Sequence, residues 1–490
     1  MRKVTKLLLL VLSLSLFLAI AFACEPSSGD NTGSTAPESD EPISFEPTAD
    51  DFFEFHYIAN DEKYADTYFV MMSQGMPDGV TKETYPKDII VPSEYEGKPI
   101  IGFATSAGCT KGAVKRVVFP KTIQKVDNLR ASFPNLEKIY VEEGSEWLKV
   151  KNGCLIDSDG VLVAAGKNAS IPNDGSVLEI AETAFALCRD IKEITIPDSV
   201  TKIGGGAFVY SSIEKVSIGK GLSEWDWTPF AGTVKLSSIT VSSKNAKYYS
   251  KNNCIIEKET KRLVQACKTS VIPAGGSVTT IGNGSFAGFV GIEEFDLDDY
   301  IDSGLYVFPR VTERKAVDLT IPEGVTCIEK SAISAAYIEN LNLPKSIGEI
   351  KNRAFDMCKI GRVNYSGDIV SWNNLGLSHD IEGCMSCSSP VSYGTKFFIN
   401  GVEVKEIEFP EGTTEITASF SYLSSLTKVI IPSSVTKIAN RAFYKYRPSD
   451  IDIIIEYKGT IEQWNAIEKG YEIVSGKATV ICIDGEVLLG

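Results

Sequence analysis

Histidine is nearly absent from the 490 residues, with only His56 and His379 present, so imidazole catalysis and His-rich metal sites have little material. The motifs of common enzyme families are missing too: there is no G-x-S-x-G elbow, P-loop, H-E-x-x-H or kinase signature. Positive charge is short, 49 Lys and Arg against 64 Asp and Glu. The net charge of −15 argues against nucleic acid as a partner, because an acidic surface repels a polyanion. It equally disfavours electrostatic binding to anionic lipid. Carboxylates are plentiful, and counting alone leaves a glycosidase-type pair open. Acids in repeat turns, however, face solvent by default, and Glu142-Glu143 reads as a solvated loop. DLDDYID at 296–302 and IDSDG at 156–160 have faintly calcium-like spacing, but neither supplies both the central Gly and the terminal Glu of an EF-hand loop. No metal and no cofactor are expected.

Lys and Arg are also missing from Glu25 to Asp50, a stretch rich in Ser, Thr, Pro, Gly and acids that offers almost nothing to bury. It reads as an extended tether. Ahead of it, Arg2, Lys3 and Lys6 precede the uncharged, Leu-rich run Leu7 to Ala23, which ends in Ala21 and Ala23. Its 17 residues fall short of the ~20 that span a bilayer. Cys24 follows at once, and this arrangement resembles a bacterial lipobox, which implies acylation of Cys24 and anchoring at the outer face of a membrane. An ordinary secretory signal or an uncleaved anchor is the alternative. The expected layout is a signal peptide over 1–23 and an acidic tether over 24–50. A β-rich N-terminal cap over 51–102 and a repeat array over 103–490 with its own C-terminal cap complete it.

Internal repetition dominates what remains. IKEITIPDSVTKIGGGAF at 191–208 recurs as LTIPEGVTCIEKSAI at 319–333, LNLPKSIGEIKNRAF at 341–355 and TKVIIPSSVTKIANRAF at 427–443. Pro197, Pro322, Pro344, Pro410 and Pro432 mark the same point in each turn, with 22 residues from Pro322 to Pro344 and from Pro410 to Pro432. Ile194 and Ile196 alternate with Glu193 and Thr195, as in a short strand with one buried face. The proline ends the strand, since it cannot donate a ladder hydrogen bond. Val200, Ile203, Ala207 and Phe208 then point inward from the returning side. A single turn cannot bury this stripe alone, so stacked neighbours must share one interior that includes Ile196, Ile321 and Ile431.

From about Ile100 to Gly490 these turns resemble the BspA-type leucine-rich-repeat family of bacterial surface proteins, with Phe185-Ala-Leu-Cys188 and Phe355-Asp-Met-Cys358 reproducing the end of its unit. Ile333 in place of Phe, and a shortened turn at 411–426 with Phe420, are departures. The resemblance implies a β-rich α/β solenoid, here with β-hairpin inserts and terminal caps, and a non-enzymatic role in contacting host matrix proteins or other cells.

KNGCLIDSDGVLVAAGKNASIP at 151–172 and KNNCIIEKETKRLVQACKTSVIP at 251–273 read as hairpins projecting from their turns, the first turning at Asp159-Gly160. Asn400-Gly401 marks another hairpin. Tyr365-x-Gly367 with Trp372 is echoed by Tyr457-x-Gly459 with Trp464, so these tryptophans are structural. Ten cysteines besides Cys24 occur; Cys154 with Cys254, and Cys188 with Cys358, fall at equivalent positions, as buried core residues would. Cys384 and Cys387 lack the second pair that a zinc site needs.

The outward strand positions are the candidate binding surface. In order they begin Arg116 and Val118, pass through Glu193 and Thr195, Glu294 and Asp296, Asp318, Asn340, Asn342 and Arg362, and end with Ile454 and Glu456. A protein contact on this polar strip is the first functional reading. Glycan capture by exposed Trp225 and Trp227 is the second, because Trp rings stack on sugar faces. An unrecognised hydrolase is a distant third. The partner is thus an extracellular protein or glycan, with membrane contact only through the lipid anchor.

Overall fold

The computed structural model describes residues 47–59, 64–105, 111–297, 309–377, 389–392, 394–418, 420, 422–423, 425–444, 453–474 and 478–489. The signal peptide, Cys24, most of the tether, His379 and the Cys384-x-x-Cys387 pair lie outside these residues, as does most of 296–302. The chain divides into two compact units. One is Met1–Val150 with Asp296–Arg310, and the other is Lys151–Phe295 with Val311–Gly490.

In the first unit Phe53–Ile58 runs antiparallel to Thr67–Met72, which lies parallel to Lys98–Ala104. Glu94–Tyr95 folds back on Lys98–Ala104 through Glu96 and Gly97, both at positive φ. A second, parallel sheet pairs Asp88–Ile90 with Arg116–Phe119 and then Lys138–Val141. Val70, Ile89, Phe103, Val117 and Phe119 are fully buried between these elements. Val118, expected on the outward face, is buried as well, at 8% exposure.

The second unit is a stack of repeat turns. Its turns contribute three- to seven-residue strands to outer parallel ladders, and most add a two-residue strand to a ladder on the returning side. Glu193–Ile196, Lys215–Ile218 and Ser238–Val241 pair in register, with Ile194 and Ile196 buried and Glu193 and Thr195 exposed. At each strand end the proline carbonyl accepts a turn hydrogen bond three residues on: Val200 N–H to Pro197 O at 3.2 Å, Val325 to Pro322 at 3.3 Å, Val435 to Pro432 at 3.2 Å. The proline thus ends the ladder through its missing donor and closes the turn through its acceptor. Inside, Phe185, Phe208 and Phe230 stack with centroids 5.1 and 4.7 Å apart. Phe420, from the shortened turn, stacks on Phe443 at 6.1 Å.

Two expectations are corrected here. The segments at 151–172 and 251–273 do form antiparallel pairs, Cys154–Asp157 with Val161–Ala165 and Cys254–Glu257 with Arg262–Gln265, the latter flanked by Tyr248–Lys251 on Cys254–Glu257. They do not project. Leu155, Ile156, Ile255, Ile256 and Leu263 are all fully buried, and each hairpin joins the returning-side sheet as its wall. Nor is the interior single. Ile196 belongs to one buried cluster, whereas Ile321 and Ile431 belong to another. The second hairpin stands between them: Ile255 and Val264 face the first cluster, Cys254, Ile256 and Leu263 the second. A strand buried on both faces has no polar side to turn to solvent, which is why this one reads as a continuous apolar run.

Candidate binding face

The outward strip is not continuous. Its strands fall into separate outer ladders: 193–241, 317–403 and 406–489, with the first unit contributing its own. Glu294 is exposed, but its strand Ile292–Asp296 pairs with Arg310–Arg314 in a separate two-stranded sheet, where Asp296 meets Arg310 at 3.1 Å. Glu294 and Asp296 therefore do not share a ladder with Glu193 and Thr195. The strip is interrupted because Ser238–Val241 ends one outer ladder and Val317–Thr320 begins another.

On the first ladder Glu193 lies opposite Lys215, and their side chains meet at 2.7 Å while remaining 65% and 60% exposed. A pair so exposed contributes little. In the first unit Arg116 grips Asp88 through two contacts of 2.5 and 2.6 Å. On the last ladder Lys428 and Lys458 both hold Glu456, and their hydrogen bonds pull its carboxyl down to about 2. These faces neutralise their own charge.

The middle ladder differs. It aligns Val317–Thr320, Tyr337–Leu343, Lys359–Tyr365 and Lys396–Ile399 in parallel and closes with Val402–Glu403, antiparallel across the Asn400-Gly401 turn. Leu319, Leu341, Val363 and Phe397 face inward, so their neighbours face out. Asn340 donates to Asp318 at 2.7 Å, and Asn342 donates to Thr320 Oγ1 at 2.9 Å. Asn364 in turn donates to Asn342 Oδ1 at 2.8 Å, and Arg362 Nε donates to Asn364 Oδ1 at 2.6 Å. The Arg362 guanidinium lies 3.4 Å from the centroid of the Phe398 ring. Equivalent residues on successive turns are neighbours in a parallel stack, so asparagines at one repeat position form a chain of amides. Asp318, Asn340, Asn342 and Arg362 are therefore brought together.

Lys396 and Phe398, which complete this face, escape a reading by period because an insertion lengthens the turn after Tyr365 beyond the usual spacing. The available signal was the Asn400-Gly401 hairpin, whose strand alternates Lys396 and Phe398 outward with Phe397 inward. A shallow open cleft of about 500 Å³ beside this ladder is lined by Glu323, Lys345, Asp368 and Asn400. Its carboxylates serve the backbone: Glu323 accepts from Lys345 N–H at 3.1 Å, and Asp368 caps a short helix by accepting from Ser371 N–H at 2.8 Å.

The two candidate tryptophans part company. Trp225 is half-buried, packs 6.0 Å from Phe230 and 6.1 Å from Tyr248, and is a core residue rather than an exposed platform. Trp227 is 45% exposed and lies over Gly205, where an added Cβ would sit 3.0 Å from its indole nitrogen. Trp372 and Trp464 are buried against Tyr365 and Tyr457 at 5.2 and 5.4 Å.

Residues 166–262, 264–361 and 388–463 match the BspA type leucine rich repeat region in six copies, over more than half of the chain. The chain belongs to the BspA-type leucine-rich-repeat family. Among solved structures it is similar to a leucine rich cell surface protein from Faecalibacterium prausnitzii, at 18% identity over 88% of this chain and 98% of that one, with a TM-score of 0.36. It is also similar to leucine-rich-repeat proteins from Bacteroides ovatus (14% identity, 88% and 98% covered, TM-score 0.33) and Eubacterium ventriosum (14%, 80% and 82%, 0.36). No curated relative matches the chain. Among the described residues no helix is long and apolar enough to cross a membrane.

Proposed function

We propose that this chain is a surface-displayed binding protein, lipid-anchored through Cys24, whose outer sheet faces contact an extracellular protein on host matrix or on other cells. The observation that carries the reading is the hydrogen-bonded outward row Thr320, Asn342, Asn364 and Arg362, which holds polar groups in fixed positions before any partner arrives. Membership of a repeat family supports it, as does a strip that is polar and suited to wet, multivalent contact. The hairpin at Phe53–Ile58 and the antiparallel strand Gly485–Leu489 act as end caps in this scheme. The test is retention of the full chain on matrix-coated, host-cell and bacterial surfaces. Saturable retention that falls when Asn342 and Arg362 are replaced by Ala supports the proposal, and no saturable retention anywhere overturns it. Incorporation of labelled fatty acid, lost in Cys24→Ala, tests the anchor. Trp227, exposed over Gly205, favours a second reading in which the protein captures glycans; unchanged glycan-array signals in Trp227→Ala would remove it.

A further inference from the structure

The middle ladder carries a charge anomaly. Elsewhere on the outer faces cations meet carboxylates: Arg116 with Asp88, Lys215 with Glu193, Lys428 with Glu456. Arg362 and Lys396 stand directly opposite each other in register on adjacent strands, both outward, yet among the described residues neither has a carboxylate partner. Of the acids on this ladder, Asp318 accepts from Asn340 and Glu403 leans toward Lys405 at 3.7 Å, while exposed Glu339 lies beside Gly361 and forms no ion pair with Arg362. Two adjacent cations repel each other, and in a protein of net charge −15 this pair has no carboxylate among the described residues to offset that repulsion.

Arg362 is also held rigidly. Its Nε is used by Asn364 Oδ1 and its guanidinium lies against Phe398, and among the described residues neither terminal nitrogen has a protein hydrogen-bond partner. A planar fork fixed in this way matches a carboxylate bidentately, with Lys396 as a point charge beside it. Along the same face, Asn342 and Asn364 each spend one amide hydrogen and one oxygen lone pair on the row, and keep one of each for a ligand. A sugar hydroxyl, donor and acceptor at once, satisfies that pairing. The strands repeat every ~4.8 Å, comparable with one pyranose unit of an extended chain. The Phe398 ring is covered by Arg362, so recognition beside it falls to polar groups.

We infer that Arg362, Lys396, Asn342 and Asn364 form a binding site for a carboxylate-bearing sugar, a uronic acid within a glycan chain. The carboxylate sits on Arg362 and Lys396 and the ring hydroxyls lie along the amide row. The inference goes beyond the proposed protein contact and does not depend on it.

The test is a calorimetric titration of the full chain with short oligogalacturonate, its methyl-esterified form, and oligoglutamate of equal charge. Saturable binding of the free acid, with none of the ester, is expected. Arg362→Gln should weaken it about tenfold, the loss of one charge-assisted bidentate contact. Arg362→Lys should recover only part, and Lys437→Gln, whose cation already pairs with Glu468 on the returning side, should change nothing. Circular dichroism checks that each variant is folded. Absence of binding by the unmodified chain overturns the proposal, as does a folded Arg362→Gln that binds equally well. Equal binding of oligoglutamate would overturn it in favour of an acidic protein segment. Surface retention is read separately, so either result can fail without the other.

Discussion

Asn373 does alone what a ladder strand does elsewhere. It is 3% exposed; its side-chain oxygen accepts from Thr417 N–H at 2.9 Å and Ala418 N–H at 3.2 Å, and its Nδ2 donates to Glu415 O at 2.9 Å. It thereby stitches the inserted helix Ile369–Asn374 to the next turn. Asn373→Ala removes the side-chain partner of three backbone groups, of which the Ala418 N–H is buried, and a loss of about 1–3 kcal/mol is expected from urea unfolding. Burial governs the thiols in the same way. It pushes Cys154, Cys254 and Cys358 up to about 12, and Cys358 Sγ points at Ile333 O, 2.9 Å away. Site-resolved mass spectrometry after alkylation at pH 8 should find the buried Cys154 and Cys254 unmodified in native protein and modified once it is unfolded; rapid native labelling would contradict their burial. Glu456 sets a pH signature. Lys428 and then Lys458 hold its folded pKa at about 2, below the ordinary 4.5, so its stabilisation is complete above that ordinary value and is lost as pH falls toward 2. Glu456→Gln should narrow the drop in urea midpoint over that acid window, by a small amount because the pair is partly exposed; an unchanged acid limb would refute the assignment.

Among the elements, the second hairpin holds the most structural consequence. Val264 and Leu263 are sequence neighbours that pack into different clusters. Hydrogen exchange should therefore separate them: Val264→Ala loosens turns between Ile171 and Ile239, and Leu263→Ala, at ~2–5 kcal/mol, loosens those from Ile281 onward. Identical exchange maps would mean one shared core. The elements also mark how far reading by pattern reaches. Alternation identified the strand 193–196 and its buried face because neighbours on both sides repeat it. The hairpins were recognisable through Asp159-Gly160 and Asn400-Gly401, where Gly160, Asn400 and Gly401 adopt positive φ. That they form walls instead of projections was not legible, since a short apolar run looks the same in either setting. The Tyr–Gly–Trp modules were legible as structural, and the reason is contact: a Cβ on Gly367 would lie 2.4 Å from the Tyr365 ring.

For the second unit as a whole, two buried clusters imply that its turns need not melt together. Exchange measured across a urea series should report different midpoints for Ile191–Ile239 and Leu319–Cys482, whereas one coincident transition would argue for full coupling. The candidate site belongs to this scale too. Asp318, Asn340, Asn342 and Arg362 could be named from strand alternation, but Lys396 and Phe398 join them only across a lengthened turn. The sequence by itself determined the repeat, the strand face each residue occupies and the proline stop, because these follow from local periodicity and a missing donor. Tertiary structure alone decided which outward residues share a ladder, where the interior divides and which cations go unpaired, because those depend on stacking across insertions whose length no periodic pattern specifies.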